Sequence, residues 1–149
     1  MLFRSPALRA GQLVLCDRFT DSSVAYQGYG RGISMEIIQS LEHSLCQSVR
    51  PDLTVILEID PVTGARRTGH RNRAASELAT RFEQEGLEFF ERVRHGYREI
   101  ARQEPERVRI VDGLGSIAEV HEQVRQAVDE FLRAAGMVQI GRASCRERV

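Results

Sequence analysis

Short apolar runs alternate along the chain with longer stretches in which apolar residues recur every three or four positions. The short runs, residues 13–16, 53–59 and 108–111, predict three buried strands. The longer stretches predict helices over residues 34–45 and 81–103 and from residue 117 onward. Because strands alternate with helices, the sequence predicts an α/β protein with a parallel sheet.

Capping residues mark the ends of several helices. Residues 6–10 indicate the end of a helix that Gly11 stops, Asp60-Pro61 opens a short helix, and Ser116 with Glu119 has the pattern of a capping box. Each long helix has an apolar stripe predicted to face the core. The stripes are Ile37, Ile38, Leu41 and Leu45; Leu87, Phe90, Val93, Tyr97 and Ile100; and Ile117, Val120, Val124, Val128 and Phe131.

The composition is that of a globular protein, and the balanced charge indicates no particular binding partner. The 149 residues are 42% hydrophobic and 28% charged, and 21 basic side chains balance 21 acidic ones, as in a globular domain. No apolar run approaches the roughly 20 residues that span a membrane. The three cysteines have no metal-ligand spacing, and we expect Cys16 to be a small buried side chain. A cytoplasmic protein without a membrane partner is therefore predicted.

The stretch from Cys16 to Gly32 carries the most specific chemistry. It runs Cys-Asp-Arg-Phe-Thr-Asp-Ser-Ser-Val-Ala-Tyr-Gln-Gly-Tyr-Gly-Arg-Gly. Asp17 and Arg18 directly follow the first apolar run, and ligands of open α/β sheets bind beyond the carboxyl ends of strands. Hydroxyls, one amide and three glycines follow these two charges, so this stretch is the first candidate for a ligand site.

In order, spacing and composition this stretch resembles the signature of bacterial thymidylate kinases. The resemblance extends over residues 6–138 and implies a P-loop nucleoside monophosphate kinase fold, a parallel sheet flanked by helices. It also implies phosphoryl transfer from ATP to thymidine monophosphate with Mg²⁺, which gives thymidine diphosphate for dTTP synthesis. The same resemblance implies that the complete enzyme is a homodimer without a nucleic-acid partner.

The family's Gly-rich phosphate loop, G-x-x-x-x-G-K-[ST], does not occur in the sequence given. The resemblance therefore matches the later two-thirds of a family member, and it implies an incomplete fold whose first two strands are missing. Strands beside such a gap expose unpaired backbone, so we expect the chain alone to be inactive, poorly folded or both. Residues 1–5 and 139–149 match translated sequencing adapters, and we expect them to be foreign to the domain.

By resemblance, Arg18 and Asp17 act at the phosphates. A guanidinium can grip a phosphate through two parallel hydrogen bonds, so Arg18 is assigned to the acceptor phosphate. Its alternative is a salt bridge to Asp17 or to a helix end. Asp17 is assigned to Mg²⁺, which it would reach through water, and its alternative is a structural or helix-capping carboxylate.

Four further residues are assigned by resemblance to the thymine and its sugar. Ser23 and Gln27 share a face if this turn is helical, and an amide offers the donor and acceptor that a thymine edge needs. Ser22 joins them or caps the helix. Tyr26 lies near the sugar 2′ position, where bulk disfavours a ribose, or it is a half-buried core tyrosine.

A basic segment, residues 66–81, resembles the family's lid, and residues 69–79 predict an irregular, mobile loop. Its arginines would bring positive charge close to ATP and to the transferred phosphoryl group. Glu83 would face the acceptor phosphate and its metal, or would only pair locally with Arg81. The alternative for the whole segment is a solvated basic loop. The arginine candidates are Arg67, Arg71, Arg73 and Arg81.

Other classes of protein stay open on the sequence. One is another nucleotide or nucleoside kinase of the same scaffold. Another is a non-catalytic fragment that binds nucleotide, or that binds nucleic acid through the basic segment, although that segment lacks aromatic side chains for base stacking. The apolar stripe of residues 34–45 suits a dimer interface or core packing equally.

Overall fold

Two parallel strands and the helices around them form the framework of the protein. The structure is a computed structural model and describes residues 4–46, 49–64 and 76–137, with side chains for 6–46, 49–64 and 86–137. Its elements are α1 (Arg4–Arg9), α2 (Thr20–Ser23) continued by a π-helix (Val24–Gly30), α3 (Met35–Cys46), β1 (Thr54–Glu58), α4 (Ser76–Gln103), β2 (Val108–Asp112) and α5 (Ile117–Ala134). Thr54 pairs with Val108 and Glu58 with Asp112 in a parallel register, which confirms the predicted α/β class.

The core lies where α4 packs against the π-helix and the two strands. It is formed by Ala25, Ile56, Phe89, Val93, Ile100 and Val108. Two glycines allow the close approach of the two helices. A Cβ atom on Gly30 would lie 2.7 Å from the Phe89 ring, and one on Gly96 would lie 2.7 Å from the Tyr29 ring. The contact therefore fixes α4 against the segment that carries the candidate ligand residues.

The predicted helix ends are confirmed. Gly11 follows α1 with φ 71°, the left-handed conformation that ends helices and that glycine adopts without strain. Residues 61–64 form a helical turn after Asp60. Ser116 accepts a hydrogen bond from the Glu119 amide while the Glu119 carboxylate accepts one from the Ser116 amide, a complete capping box.

The strand predicted over residues 13–16 is wrong for this structure. These residues lie outside the sheet, and Leu13 and Leu15 are 65% and 89% exposed. Cys16, expected to be buried, is also exposed. A strand is held by hydrogen bonds to a neighbouring strand, and within the described ranges the sheet consists of β1 and β2 only.

The irregular loop predicted over residues 69–79 is wrong at its carboxyl end, because α4 begins at Ser76 and residues 76–79 are helical. The helix predicted from residue 81 therefore starts earlier. It is also interrupted at Gly86, whose φ of 74° and ψ of 156° are not helical. The rest of the predicted loop, residues 69–75, lies outside the described residues.

The apolar stripes predicted which helices pack, but not always which face is inward. On α4, Phe89 is buried and Leu87 is exposed, because the helix places Phe89 over the space left by Gly30. On α5, Ile117 is exposed at the first helical position, whereas Ala127 is buried. On α3 only Ile38 is buried, and the exposed members of its stripe are Ile37, Leu41 and Leu45.

Candidate functional site

The backbone turns sharply at Arg18, directly before α2. Arg18 has φ 61°, and in the described part of the chain it is the only residue other than glycine with a positive φ. A side chain in this conformation costs about 1–3 kcal/mol, and such strain is concentrated at functional sites. Asp17 and Arg18 are both exposed, so their charges face solvent where a ligand can reach them.

The Arg18 side chain folds back onto the helix that follows. Its Cζ atom lies 4.9 Å from the centre of the Tyr26 ring, a cation–π contact. The described residues show no ion pair between Arg18 and Asp17. The guanidinium is thus held near the helix by an aromatic ring rather than by a carboxylate, and its exposed position lets an anion reach it.

Tyr26 and Ser22 both meet α4. The Tyr26 ring is edge-to-face with Phe89, at 6.0 Å between centres, and with Tyr97, at 6.3 Å. The Ser22 and Tyr97 hydroxyls are 2.9 Å apart. Burial raises the pKa of the Tyr97 hydroxyl, so this group keeps its proton at neutral pH. We call Arg18, Ser22, Tyr26 and Tyr97 the tyrosine cluster.

The surroundings of Tyr26 and of the start of α2 bear on the structural alternatives given for Tyr26, Ser22 and Asp17. Tyr26 is half-buried against the core, as its structural alternative expected, and its ring still supports Arg18. Ser22 does not cap a helix, because Phe19 occupies the N-cap position of α2 and no side chain caps it. The same observation excludes Asp17 as the cap of α2.

Ser23 and Gln27 lie on the continuous helical path that their prediction required, Ser23 in α2 and Gln27 in the π-helix. Ser23 is exposed. The Gln27 side-chain oxygen accepts a hydrogen bond of 3.0 Å from Arg31 Nη1. Arg31 thus engages the oxygen, and the amide nitrogen is the donor group of the Gln27 side chain. A π-helix is rare and occurs often at functional sites, which agrees with ligand-binding residues in this segment.

A largely buried ion pair that the sequence did not reveal holds Asp21, the residue before Ser22. Arg107 donates two hydrogen bonds of 2.8 Å to Asp21, and Thr54 donates one of 2.7 Å to the same carboxylate. Burial alone would raise the pKa of Asp21, but these hydrogen bonds outweigh it and hold the pKa below its ordinary value. The pair lies at the amino ends of β1 and β2, opposite the end where α/β proteins bind ligands, so its role is to hold α2 on the sheet.

The lid arginines and Glu83 have no described side chains. Arg67, Arg71 and Arg73 lie outside the described residues, and for Arg81 and Glu83 only the backbone, in α4, is described. Within the described part of the chain no group of three His, Cys, Asp or Glu residues could hold a metal ion. None of the helices described there is long and apolar enough to span a membrane.

The fold and the tyrosine cluster together define an α/β protein with an exposed cation, Arg18, directly before the helix that follows its first apolar run. Comparison with known proteins identifies its family. The family model described as thymidylate kinase matches residues 3–124, so the chain belongs to the thymidylate kinase family.

Relatives and a solved structure agree with this assignment. The chain is 48% identical over 133 residues to a thymidylate kinase of Desulfovibrio desulfuricans, a match that covers 88% of this chain and 61% of that protein. It is 50% identical over 129 residues to one of Solidesulfovibrio magneticus, covering 85% and 62%. The crystal structure of thymidylate kinase from Ehrlichia chaffeensis matches with a TM-score of 0.61 at 30% identity, over 85% of this chain and 57% of the other. The chain thus spans about three-fifths of the length of its curated relatives.

Proposed function

We propose that this chain belongs to an enzyme that transfers a phosphoryl group from ATP to thymidine monophosphate and so supplies thymidine diphosphate for dTTP synthesis. The observation that carries the proposal is the conformation of Arg18. Its backbone is strained, its guanidinium stacks on the Tyr26 ring, and no ion pair with a carboxylate is found for it among the described residues. A planar guanidinium held in this way suits bidentate binding of the acceptor phosphate.

The residues around Arg18 supply the rest of the acceptor site. Gln27, with its oxygen engaged by Arg31, donates from its amide nitrogen to a carbonyl of the thymine ring. Ser22 and Ser23 add hydroxyls on the same helical segment. Tyr26 presents its ring at the sugar 2′ position, where it disfavours a ribose. Thymidine monophosphate therefore fits this set of groups better than a ribonucleotide.

Phosphoryl transfer in this site is an in-line displacement without a covalent intermediate, so catalysis comes from positioning and charge. Arg18 orients the acceptor phosphate, and the lid arginines add positive charge where negative charge develops. We assign Glu83, which follows the lid in the sequence, to the acceptor phosphate. The lid arginines that we assign to ATP and the transferred group are Arg67, Arg71, Arg73 and Arg81.

Asp17 fits an outer role toward Mg²⁺. The described residues offer no ligand cluster of their own, and Mg²⁺ is commonly bound through one or two carboxylates, waters and substrate phosphates. The exposed Asp17 carboxylate, next to Arg18, would hold the ion through water. The ion, when bound, neutralises charge on the phosphates of ATP.

We also propose that the complete enzyme is a homodimer. Ile37, Leu41 and Leu45 follow one another at helical spacing on α3 and are each more than half exposed. A helix face of this kind is commonly covered by another copy or another part of the protein. Sedimentation of the complete enzyme tests the proposal, and Leu41→Glu is expected to shift it toward monomer.

The test of activity supplies the part of the enzyme that the chain does not span. In a fusion kinase, the 133 matched residues of the Desulfovibrio desulfuricans relative are replaced by the matching residues of this chain. We expect the fusion kinase to convert thymidine monophosphate to the diphosphate with ATP and Mg²⁺. Among nucleoside monophosphates it should prefer thymidine monophosphate. Arg18→Ala should reduce kcat/KM at least about 100-fold, the scale of losing a charge contact at the transferring group.

Arg125→Ala is the matched control, because Arg125 pairs with Glu122 on the exposed face of α5. It should leave kcat/KM unchanged. Alanine at Arg67, Arg71 or Arg73 should lower kcat or raise the KM for ATP without changing the affinity for the acceptor. Absence of transfer by the fusion kinase, beside an active parent relative, would contradict the proposed function. A binding preference for single-stranded nucleic acid would favour the binding-module alternative.

A further inference from the structure

Three residues that we assign to the acceptor nucleotide are organised by one side chain outside their segment. Tyr97 lies on α4, 75 residues after Ser22, and its hydroxyl is 2.9 Å from the Ser22 hydroxyl. Its ring meets the Tyr26 ring edge-to-face, with an angle of 79° between the planes. Tyr26 in turn carries the Arg18 guanidinium. Tyr97 thus contacts Ser22 and Tyr26 directly, and it is linked to Arg18 through the Tyr26 ring.

We propose that Tyr97 is a positioning residue for the acceptor nucleotide: its hydroxyl orients Ser22, and its ring fixes Tyr26 and, through Tyr26, Arg18. The inference rests on the proposed function and deepens it, because it adds a determinant of acceptor affinity and of sugar selectivity that lies on a different helix. In this role Tyr97 acts through Ser22 and Tyr26.

The packing around Tyr97 makes it a rigid support. Val93 and Ile100, about one helical turn before and after it on α4, are buried in the core. Gly96 lies directly against the Tyr29 ring, so the backbone at this point cannot shift toward or away from the π-helix without a clash or a gap. A side chain anchored in this way loses little freedom when a ligand binds.

The ring of Tyr26 is held from two sides. Phe89 and Tyr97 both present edge-to-face contacts to it, and each such contact limits the rotation of the Tyr26 side chain. With the Tyr97 ring removed, Phe89 would supply the only remaining edge-to-face contact to Tyr26 among the described residues. Its ring would then move relative to the sugar, and Arg18, which stacks on that ring, would move with it.

The hydroxyl and the ring of Tyr97 therefore have separable effects. Loss of the hydroxyl leaves the partly buried Ser22 without this hydrogen bond and should weaken acceptor binding. Loss of the ring should weaken the discrimination between thymidine monophosphate and its counterpart with a 2′-hydroxyl. Neither change should affect the ATP side of the reaction.

The test compares Tyr97→Phe and Tyr97→Leu in the fusion kinase. We expect Tyr97→Phe to raise the KM for thymidine monophosphate about fivefold, the scale of one hydrogen bond, with kcat and the KM for ATP nearly unchanged. We expect Tyr97→Leu to lower the ratio of kcat/KM for thymidine monophosphate over ribothymidine monophosphate about tenfold. Tyr29→Phe is the control, because Tyr29 packs in the same interface but faces His95 and Gly96.

A double-variant comparison shows whether Tyr97 acts through Ser22. If it does, Ser22→Ala combined with Tyr97→Phe should raise the acceptor KM no more than Ser22→Ala alone. An unchanged acceptor KM in Tyr97→Phe together with an unchanged sugar ratio in Tyr97→Leu would overturn the inference. An equal fall in kcat/KM for ATP and for both acceptors would also overturn it, because a merely structural role predicts that result. Failure of the unsubstituted fusion kinase to phosphorylate thymidine monophosphate would instead overturn the proposed function.

Discussion

Arg107 holds Asp21 through two parallel hydrogen bonds, from Nη1 to Oδ2 and from Nη2 to Oδ1, each 2.8 Å long. Thr54 Oγ1 accepts a further hydrogen bond from Arg107 while it donates to Asp21, and the Arg107 backbone oxygen accepts one from the Thr54 amide. The arrangement joins α2 to the first residue of β1 and to the residue before β2. The segment that carries Arg18 and the tyrosine cluster is thus fixed to the sheet at its amino end.

Removing one member of this pair should destabilise the protein strongly. Arg107→Ala leaves the Asp21 carboxylate buried without its main partner, and breaking a buried pair in this way costs about 3–5 kcal/mol. Arg125→Ala, which breaks an exposed pair with Glu122, should cost no more than about 1 kcal/mol. Urea unfolding of the fusion kinase measures both. An equal loss of unfolding free energy in the two variants would show that the Asp21–Arg107 pair stabilises the protein no more than an exposed pair does.

The pH dependence of stability should show the same carboxylate. The pKa of Asp21 is lower in the folded state than in the unfolded state, where it is about 3.9. Its contribution is therefore present above the unfolded pKa and is lost as the pH falls through the folded pKa. The difference in unfolding free energy between the fusion kinase and its Asp21→Asn variant should be constant from pH 7 to 5 and shrink below about pH 4. A difference independent of pH would contradict the assignment.

The contact between α4 and the π-helix depends on Gly96. A Cβ atom there would lie 2.7 Å from the Tyr29 Cγ and Cδ2 atoms and 2.8 Å from its Cβ, which are the atoms nearest the backbone and cannot swing away. Gly96→Ala should therefore cost about 1–3 kcal/mol in unfolding free energy. Gly64→Ala is the matched control, since a Cβ atom there would have no other described side chain or backbone within 4 Å. A Gly96→Ala variant as stable as its parent would show that the helices separate easily.

Local pattern predicted much of this fold because the relevant forces are local. The β-branched runs of β1 and β2 and the Ser116–Glu119 capping box are determined by neighbouring residues, and they form as predicted. Residues 13–16 have an equally apolar pattern, but a strand also requires a partner that no local pattern supplies. The resemblance indicated Arg18, Ser22 and Tyr26, and the structure brings them together around Tyr97.

What the sequence did not predict depends on contacts between distant residues. Asp21 and Arg107 are 86 residues apart, and nothing near either one indicates the other. The inward face of α4 is decided by the glycine it meets on the π-helix, which is why Phe89 rather than Leu87 is buried. The helical continuation of α4 into the predicted lid likewise cannot be read from a polar, arginine-rich composition.

The chain alone should unfold with low cooperativity. Leu13, Leu15, Leu57 and Ile110 are all exposed, and no large side chain among the described residues is fully buried. Apolar surface of this extent is typical of loosely packed states that bind hydrophobic dyes. We expect the isolated chain to bind such a dye and to show a smaller urea m-value per residue than the fusion kinase. A sharp urea transition without dye binding would contradict the prediction.

Arg18 should affect stability and activity in opposite directions. Its φ of 61° strains any residue with a Cβ atom, so Arg18→Gly should raise the unfolding free energy by about 1 kcal/mol even though it removes the contact with Tyr26. The same variant removes the guanidinium and should abolish most phosphoryl transfer. Arg18→Ala is the informative control, because it removes the guanidinium but keeps the strain. It should be as inactive as Arg18→Gly and no more stable than its parent. If glycine and alanine at this position gave equal stability, the backbone would not be strained at Arg18, and the sharp turn would not depend on the residue that occupies it.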